Sequence, residues 1–227
     1  MTNMTDENYK ENDKGGSWED RWSHMEGVNH ENMFDNPVIK MSLSGEYKIE
    51  NGKIVVENLP LLERYIEQVE FLQKFISDLR GLIVIEFGPA YGGFFKALAV
   101  KGILPKRYVM VDGEPMLRLA TSYLTDEENS IIDKVTPDKV NTITSRFDLM
   151  VSNFCLNETP KPYQDYVFKN VVPLCDRFFG LVDPHSYSDY RRLNKHFRSV
   201  QFSDGPTKQQ TKMGCIYADG RKMRVGP

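Results

Sequence analysis

Leu61, Leu62, Tyr65, Val69, Leu72, Phe75, Ile76 and Leu79 recur at helical spacing with charges on the opposite face. The pattern predicts a long amphipathic helix over 61–79, and Arg80-Gly81 supplies a stop signal. The period then changes. Leu82 to Ile85 is an apolar, β-branched run too short for a helix, as expected of a buried strand. A turn rich in Gly and Pro follows, and Phe94 to Val100 read as a helix. Strands are predicted at Tyr108–Val111, within 130–135, at Phe147–Asn153 and at Phe178–Asp183, alternating with helices at Pro115–Leu124 and Tyr163–Leu174. Phe197–Phe202 and Met213–Ala218 read as two further strands joined by a polar loop containing Gly205-Pro206. Upstream, Asn51-Gly52 between Tyr47–Ile49 and Ile54–Val56 is a hairpin signal.

Strands alternating with helices imply a parallel sheet covered on both faces. The expected fold is α/β: a Rossmann-like, doubly wound, mostly parallel sheet of seven strands in three layers, closed by an antiparallel C-terminal pair. Residues 1–16 are polar, end in Gly15-Gly16 and read as a mobile tail. Residues 17–79 form an N-terminal segment with the hairpin and the long helix. In it 17–36, carrying Trp22, Met25, Val28, Met33 and Phe34, read as a short ordered lid or entry helix before the break at Asn36-Pro37. Residues 80–227 form the main domain.

Composition narrows the partners. The chain has 227 residues, 40% of them hydrophobic, and a net charge of -3. It has the size of one ordinary domain. A net-acidic chain without a basic run lacks the footprint that phosphate backbones require, which argues against nucleic acid. No apolar run approaches the ~20 residues of a membrane span, and the polar, acidic N-terminus lacks a signal-peptide stretch. Cys155, Cys175 and Cys215 are scattered without CxxC spacing, as expected of free thiols in a reducing cytoplasm and not of a zinc site. A homo-oligomer is compatible with this composition.

The candidate chemistry gathers at residues 82–93. A strand, a Gly-rich turn and a helix present backbone N–H groups and a helix N-terminus to a ligand. Gly88, Gly92 and Gly93 let the backbone approach it closely. Some twenty residues on, the next strand ends in Asp112, whose carboxylate can accept both hydroxyls of a ribose. The chain is therefore expected to bind a nucleoside. Gly88-x-Ala90-x-x-Gly93 nearly satisfies a dinucleotide fingerprint, which makes an NAD-type cofactor the alternative. Glu86 argues against it, because a carboxylate there repels a pyrophosphate but suits an ammonium group. Pro89 also removes an N–H from the turn, and the antiparallel C-terminal pair is not typical of a dinucleotide domain.

Glu86-Phe-Gly88-x-x-x-Gly92, Val111-Asp112 and Asp148-Leu-Met-Val-Ser-Asn153 together resemble the S-adenosylmethionine-dependent methyltransferases over about residues 80–220. The resemblance implies that Glu86, Gly88, Ala90 and Gly92 lie along the methionine and ribose parts of the cofactor. It further implies that Asp112, with Gly113, takes the ribose hydroxyls, and that residues 134–138 pass near the adenine. Pro89-Ala90 departs from the family's Gly-rich turn. A narrower set is similar to the bacterial sugar O-methyltransferases: 86–93, Tyr108–Pro115, Tyr123-Leu124, Val151–Glu158 and Asp204–Thr207. It implies a sugar or nucleotide-sugar acceptor.

O-methylation needs donor and hydroxyl held in line and one proton removed. Glu158 follows the fourth strand of the sheet, on the rim where ligands bind in such folds. It is a candidate base or hydroxyl acceptor; the alternative is a helix cap ahead of Pro160. Asn153 is expected to orient cofactor or substrate. His185, after Asp183-Pro184, is a second candidate base because histidine titrates near neutral pH; the alternative is an ordinary loop histidine. Tyr91 either stacks near the cofactor or packs. His24 and His30 are read as surface histidines, and His196 as structural. Asp183 beside Asp112 or Glu158 raises a metal as an option, but carboxylates at strand ends are common in this fold, and no metal is expected.

Overall fold

The computed structural model describes residues 48–50, 53–55, 59–206 and 213–222. The tail, the segment 17–36 with His24 and His30, and the Asn51-Gly52 turn lie outside the described residues. Strands β1 (Lys48–Glu50) and β2 (Lys53–Val55) pair antiparallel with Ile49 opposite Ile54, as the hairpin pattern predicts.

Helix α1 (Leu59–Leu72) ends seven residues before the expected stop at Leu79. The chain tightens there: Lys74 N–H donates to Phe71 O at 3.1 Å and Phe75 N–H to Leu72 O at 2.9 Å. Ile76 and Leu79 are nonetheless buried. The apolar spacing reported burial correctly and the helix length incorrectly, because burial of a side chain does not require helical backbone beneath it.

From here the α/β alternation holds. The elements are β3 (Ile83–Phe87), α2 (Gly93–Val100), β4 (Arg107–Val111), α3 (Glu114–Tyr123), α4 (Asp126–Ser130), β5 (Ile132–Val135), β6 (Leu149–Val151), α5 (Lys161–Asn170), β7 (Phe178–Val182), α6 (Tyr187–Tyr190), β8 (Phe197–Asp204) and β9 (Gly214–Arg221). Strand order in the seven-stranded sheet is β5-β4-β3-β6-β7-β9-β8. All neighbours are parallel except β7–β9 and β8–β9. The mixed Rossmann-like sheet with an antiparallel C-terminal pair is the fold expected from the sequence.

Alternating side chains divide the core into two layers. Val84, Tyr108, Met110 and Val151 pack against Val69 and Leu72 of α1, Phe94 and Phe95 of α2, and Leu117 and Ala120 of α3. On the other face Ile85, Phe87, Val109 and Met150 pack against Val167 and Phe168 of α5 and Tyr190 of α6. Helix α1 thus shares its core with the sheet. The chain runs outward from β3 to β5 and then crosses back to β6. This places the reversal of strand order, and the crevice that accompanies it, at the C-terminal ends of β3 and β6.

Candidate functional site

The crevice is built first from backbone. Gly88 N–H donates to Val111 O at 3.0 Å, fastening the end of β3 to the end of β4. The chain then turns, with Gly92 N–H donating to Pro89 O at 2.8 Å, and Gly92 at φ 85 starts α2. Gly88 has φ +73, and a Cβ there would run into the Cys155 side chain, 2.6 Å from its Sγ. Glycine is required on both counts. Ala90 takes φ 50, a left-handed conformation uncommon for a residue with a Cβ. Ala90 therefore holds a left-handed position in the turn at some conformational cost.

Asp112 closes this turn. Its Oδ1 accepts from Gly113 N–H at 2.7 Å and its Oδ2 from Ala90 N–H at 3.2 Å. Each oxygen keeps a lone pair for a further donor. Burial pushes the carboxyl up to about 7, against the pull of the two N–H groups. Glu86 sits differently. It is 2% exposed, points into the layer of α1 and α2, and accepts from Tyr108 Oη at 2.7 Å. Burial lifts its carboxyl to about 8; the Tyr108 hydrogen bond opposes that rise and the Asp112 charge adds to it.

Tyr65 of α1 covers the turn. The Tyr65 ring lies where a Cβ on Gly93 would stand, 2.7 Å from its Cδ2. Tyr91 is 1% exposed. Its ring meets Tyr65 edge-on at 5.8 Å and Tyr123 at 5.2 Å. Tyr91 is thus held between these two rings.

The β6 side is held by side chains. Asn153 Nδ2 donates to Gln68 Oε1 of α1 at 3.1 Å, and Asn153 Oδ1 accepts from Leu181 N–H of β7 at 3.1 Å. Asn153 is thus a clip between α1 and β7, with one amide hydrogen left to donate. Phe154 has φ 54, and Cys155 follows against Gly88. Burial drives the Cys155 thiol well above its ordinary value, and the charges of Asp112, Glu158 and Glu86 push the same way. Glu158 ends a short 3-10 turn (Leu156–Glu158) and is half-buried on this rim. Tyr163, in the first turn of α5, lies near enough for the Cys155 and Asp112 charges to raise its hydroxyl further beyond the effect of burial.

The ends of β3, β4 and β6 therefore bring Glu86, Gly88, Ala90, Gly92, Asp112, Gly113 and Asn153 into one region, with Glu158 beside it. His185 lies on the 3-10 turn Pro184–Ser186 after β7, exposed, its N–H donating to Asp183 Oδ1 at 2.9 Å. Sequence reasoning missed Tyr65, Gln68, Cys155 and Tyr163. Gln68 could have been found: it is a polar residue on the buried face of an amphipathic helix, and it is 1% exposed. Among the described residues no three histidine, cysteine or carboxylate groups converge as metal ligands.

The residues present fit S-adenosylmethionine. Asp112 offers two oxygens to a ribose, and the buried Glu86 is a carboxylate without a cationic hydrogen-bond partner among the described residues.

No family model matches the chain, and no curated protein matches it. Solved structures do. A candidate RNA methyltransferase from Pyrococcus horikoshii aligns at TM-score 0.54 and 13% identity, over 83% of this chain and 96% of that one. The methyltransferase domain of bacterial CtHen1 aligns at 0.53 and 12%, over 70% and 99%. Magnesium protoporphyrin IX methyltransferase from Synechocystis PCC 6803, solved with bound SAM, aligns at 0.50 and 13%, over 88% and 90%. At such identity the likeness is one of fold: the chain has the seven-stranded fold of these methyltransferases.

Proposed function

We propose that this protein is an S-adenosylmethionine-dependent O-methyltransferase acting on a sugar hydroxyl, free, nucleotide-linked or within a glycan. The observation that carries the cofactor assignment is Asp112, fastened by two backbone N–H groups at the end of β4 with lone pairs left for a ribose. The bound cofactor supplies an activated methyl group on a sulfonium. The chain's own work is to bind, align and deprotonate. Gly88, Ala90 and Gly92 shape the wall of the cofactor site, and Glu86 lies behind them as the counter-charge for its cationic end. Glu158 is the base we assign to the acceptor hydroxyl. It lies on the acceptor side of the rim, and general-base assistance contributes about 10²–10⁴-fold. His185 is the second candidate base, on a turn exposed to solvent. The sugar acceptor rests on the sequence resemblance of 86–93 and 151–158.

The three unpaired cysteines go with a cytoplasmic enzyme. No described helix is long and apolar enough to cross a membrane.

Calorimetric titration with S-adenosylmethionine, S-adenosylhomocysteine and NAD tests the cofactor, followed by a methyl-transfer screen over nucleotide sugars. Binding of the first two and not NAD is expected; binding of NAD alone would overturn the reading. The neighbouring folds include enzymes named for RNA and porphyrin, so the screen carries those acceptors too. Transfer to one of them and to no sugar would keep the reaction and replace the acceptor.

A further inference from the structure

Helix α3 and strand β5 enclose a cleft of about 180 Å3 at the far edge of the sheet. Its residues arrive by simple geometry. Glu114, Arg118 and Thr121 fall at i, i+4 and i+7 on one face of α3. Lys134 and Thr136 are two apart on the extended chain at the end of β5, so they share a face, and Lys139 follows on the next 3-10 turn (Pro137–Thr142). Three cations thus face one carboxylate in a chain whose net charge is -3.

Neighbouring basic residues are committed elsewhere. Lys96 pairs with Glu128, Lys101 with Glu70 and Arg107 with Asp133. The ion pairs among the described residues include neither Lys134 nor Lys139. Among the described residues Lys134 Nζ donates to the neutral Asn129 Oδ1, at 3.1 Å. The hydroxyls are partly used: Thr121 Oγ1 donates to Leu117 O at 2.8 Å, and Thr136 bonds the Asp138 carboxylate. Recognition here falls to the charged groups.

We propose that this cleft between α3 and β5 binds a doubly charged phosphate group of a ligand distinct from the methyl donor. Two lysines outside those ion pairs, lining a cleft with one carboxylate, suit a phosphate monoester or a diphosphate. Arginine and lysine are the side chains that make charge-assisted hydrogen bonds to its oxygens. Partial burial already lowers the Lys134 pKa, and an anion in the cleft restores the solvation that the ammonium group has lost. Glu114 and Thr136 also border the strand ends where Asp112 lies. A ligand anchored in the cleft would extend along the adenosine side of the crevice. The proposal stands on the cleft and does not depend on the methyl-transfer reading.

The test is calorimetry of the full chain with inorganic pyrophosphate. Saturable binding that weakens with added salt is expected. The double variant Lys134→Ala/Lys139→Ala should bind about tenfold more weakly, and Lys134→Arg/Lys139→Arg should recover affinity, with the thermal midpoint unchanged in both. Absence of saturable binding to the native protein, or equal affinity in the alanine variant, would overturn the site. Uridine diphosphate and a short oligouridylate then separate the sources. Tighter binding of the diphosphate than of pyrophosphate identifies a nucleotide. Tighter binding of the oligonucleotide, whose diesters each carry a single charge, with a steep salt dependence would overturn the doubly charged ligand and correct the expectation drawn from net charge.

Discussion

The two sides of the crevice are built by different means. On the β3–β4 side the strands share five register pairs, from Ile83 opposite Arg107 to Phe87 opposite Val111. The carboxylate that we assign to the ribose, Asp112, is set by main-chain N–H groups. On the β6–β7 side, β6 has three residues, and its chain leaves through Phe154 at positive φ into a 3-10 turn. Position there depends on the Gln68–Asn153–Leu181 clip. Two buried polar atoms nearby, Asn157 Oδ1 and Tyr190 Oη, have no hydrogen-bond partner among the described residues. A site held by backbone tolerates little variation. A site held by side chains can be retuned by substitution, which suits the half that we assign to the acceptor.

If that division is right, single substitutions should separate the two halves. The largest effect is expected of Glu158→Gln, which should slow turnover by about 10²–10⁴-fold while calorimetry shows cofactor affinity intact. Full activity would remove Glu158 as the base and merge the two sides' roles. Asp112→Ala should do the converse, weakening S-adenosylhomocysteine binding by about a hundredfold through loss of charge-assisted hydrogen bonds. Unchanged affinity would reject the ribose assignment and with it the contrast.

Gln68→Ala leaves a buried amide hydrogen of Asn153 without an acceptor, at a cost of about 1–3 kcal/mol in urea unfolding. It should lower kcat and leave cofactor affinity unchanged. A fall in cofactor affinity instead would show that α1 serves both sides.

The smallest effect concerns pH. Burial raises Glu86 from 4.5 to about 8 and Asp112 from 3.8 to about 7, so the folded protein holds protons that the unfolded chain releases. Stability from these groups is complete below their ordinary values and is lost as pH rises through about 7 and 8. Unfolding midpoints of the cofactor-free protein should therefore fall between pH 5 and 8, and Glu86→Gln should flatten the slope. A rise with pH over that window would mean that Glu86 is ionised in the free protein. A cation beside Glu86 favours the ionised form, so cofactor binding at neutral pH should release protons, measurable by calorimetry in buffers of different ionisation enthalpy.

Legibility in the sequence followed the same division. The strands β3, β4 and β7 were predicted within a residue or two, because a buried parallel strand reads as a continuous apolar run. Gly88 and Asp112 stood out because their positions at strand ends are local facts. Helix α4, with its Thr125–Glu128 capping box, was not anticipated: five polar residues carry no hydrophobic period. Gln68 and Asn153 are 85 positions apart, and nothing in either stretch announces the other. Tyr91 meets Tyr65 and Tyr123 only in the folded chain.

The sequence by itself determined the α/β alternation, the antiparallel ending, and the strand–turn–helix unit with an acid after the next strand. Each of these is written within a few residues, by periodicity, by glycine's tolerance of positive φ and by turn chemistry. Only the tertiary structure decided that Glu86 lies buried against Tyr108, that α1 roofs the turn and fixes Asn153, and that three cations from α3, β5 and the turn after it face a single cleft. Those are contacts between segments far apart in the chain, and the packing of helices on the two faces of the sheet selects them.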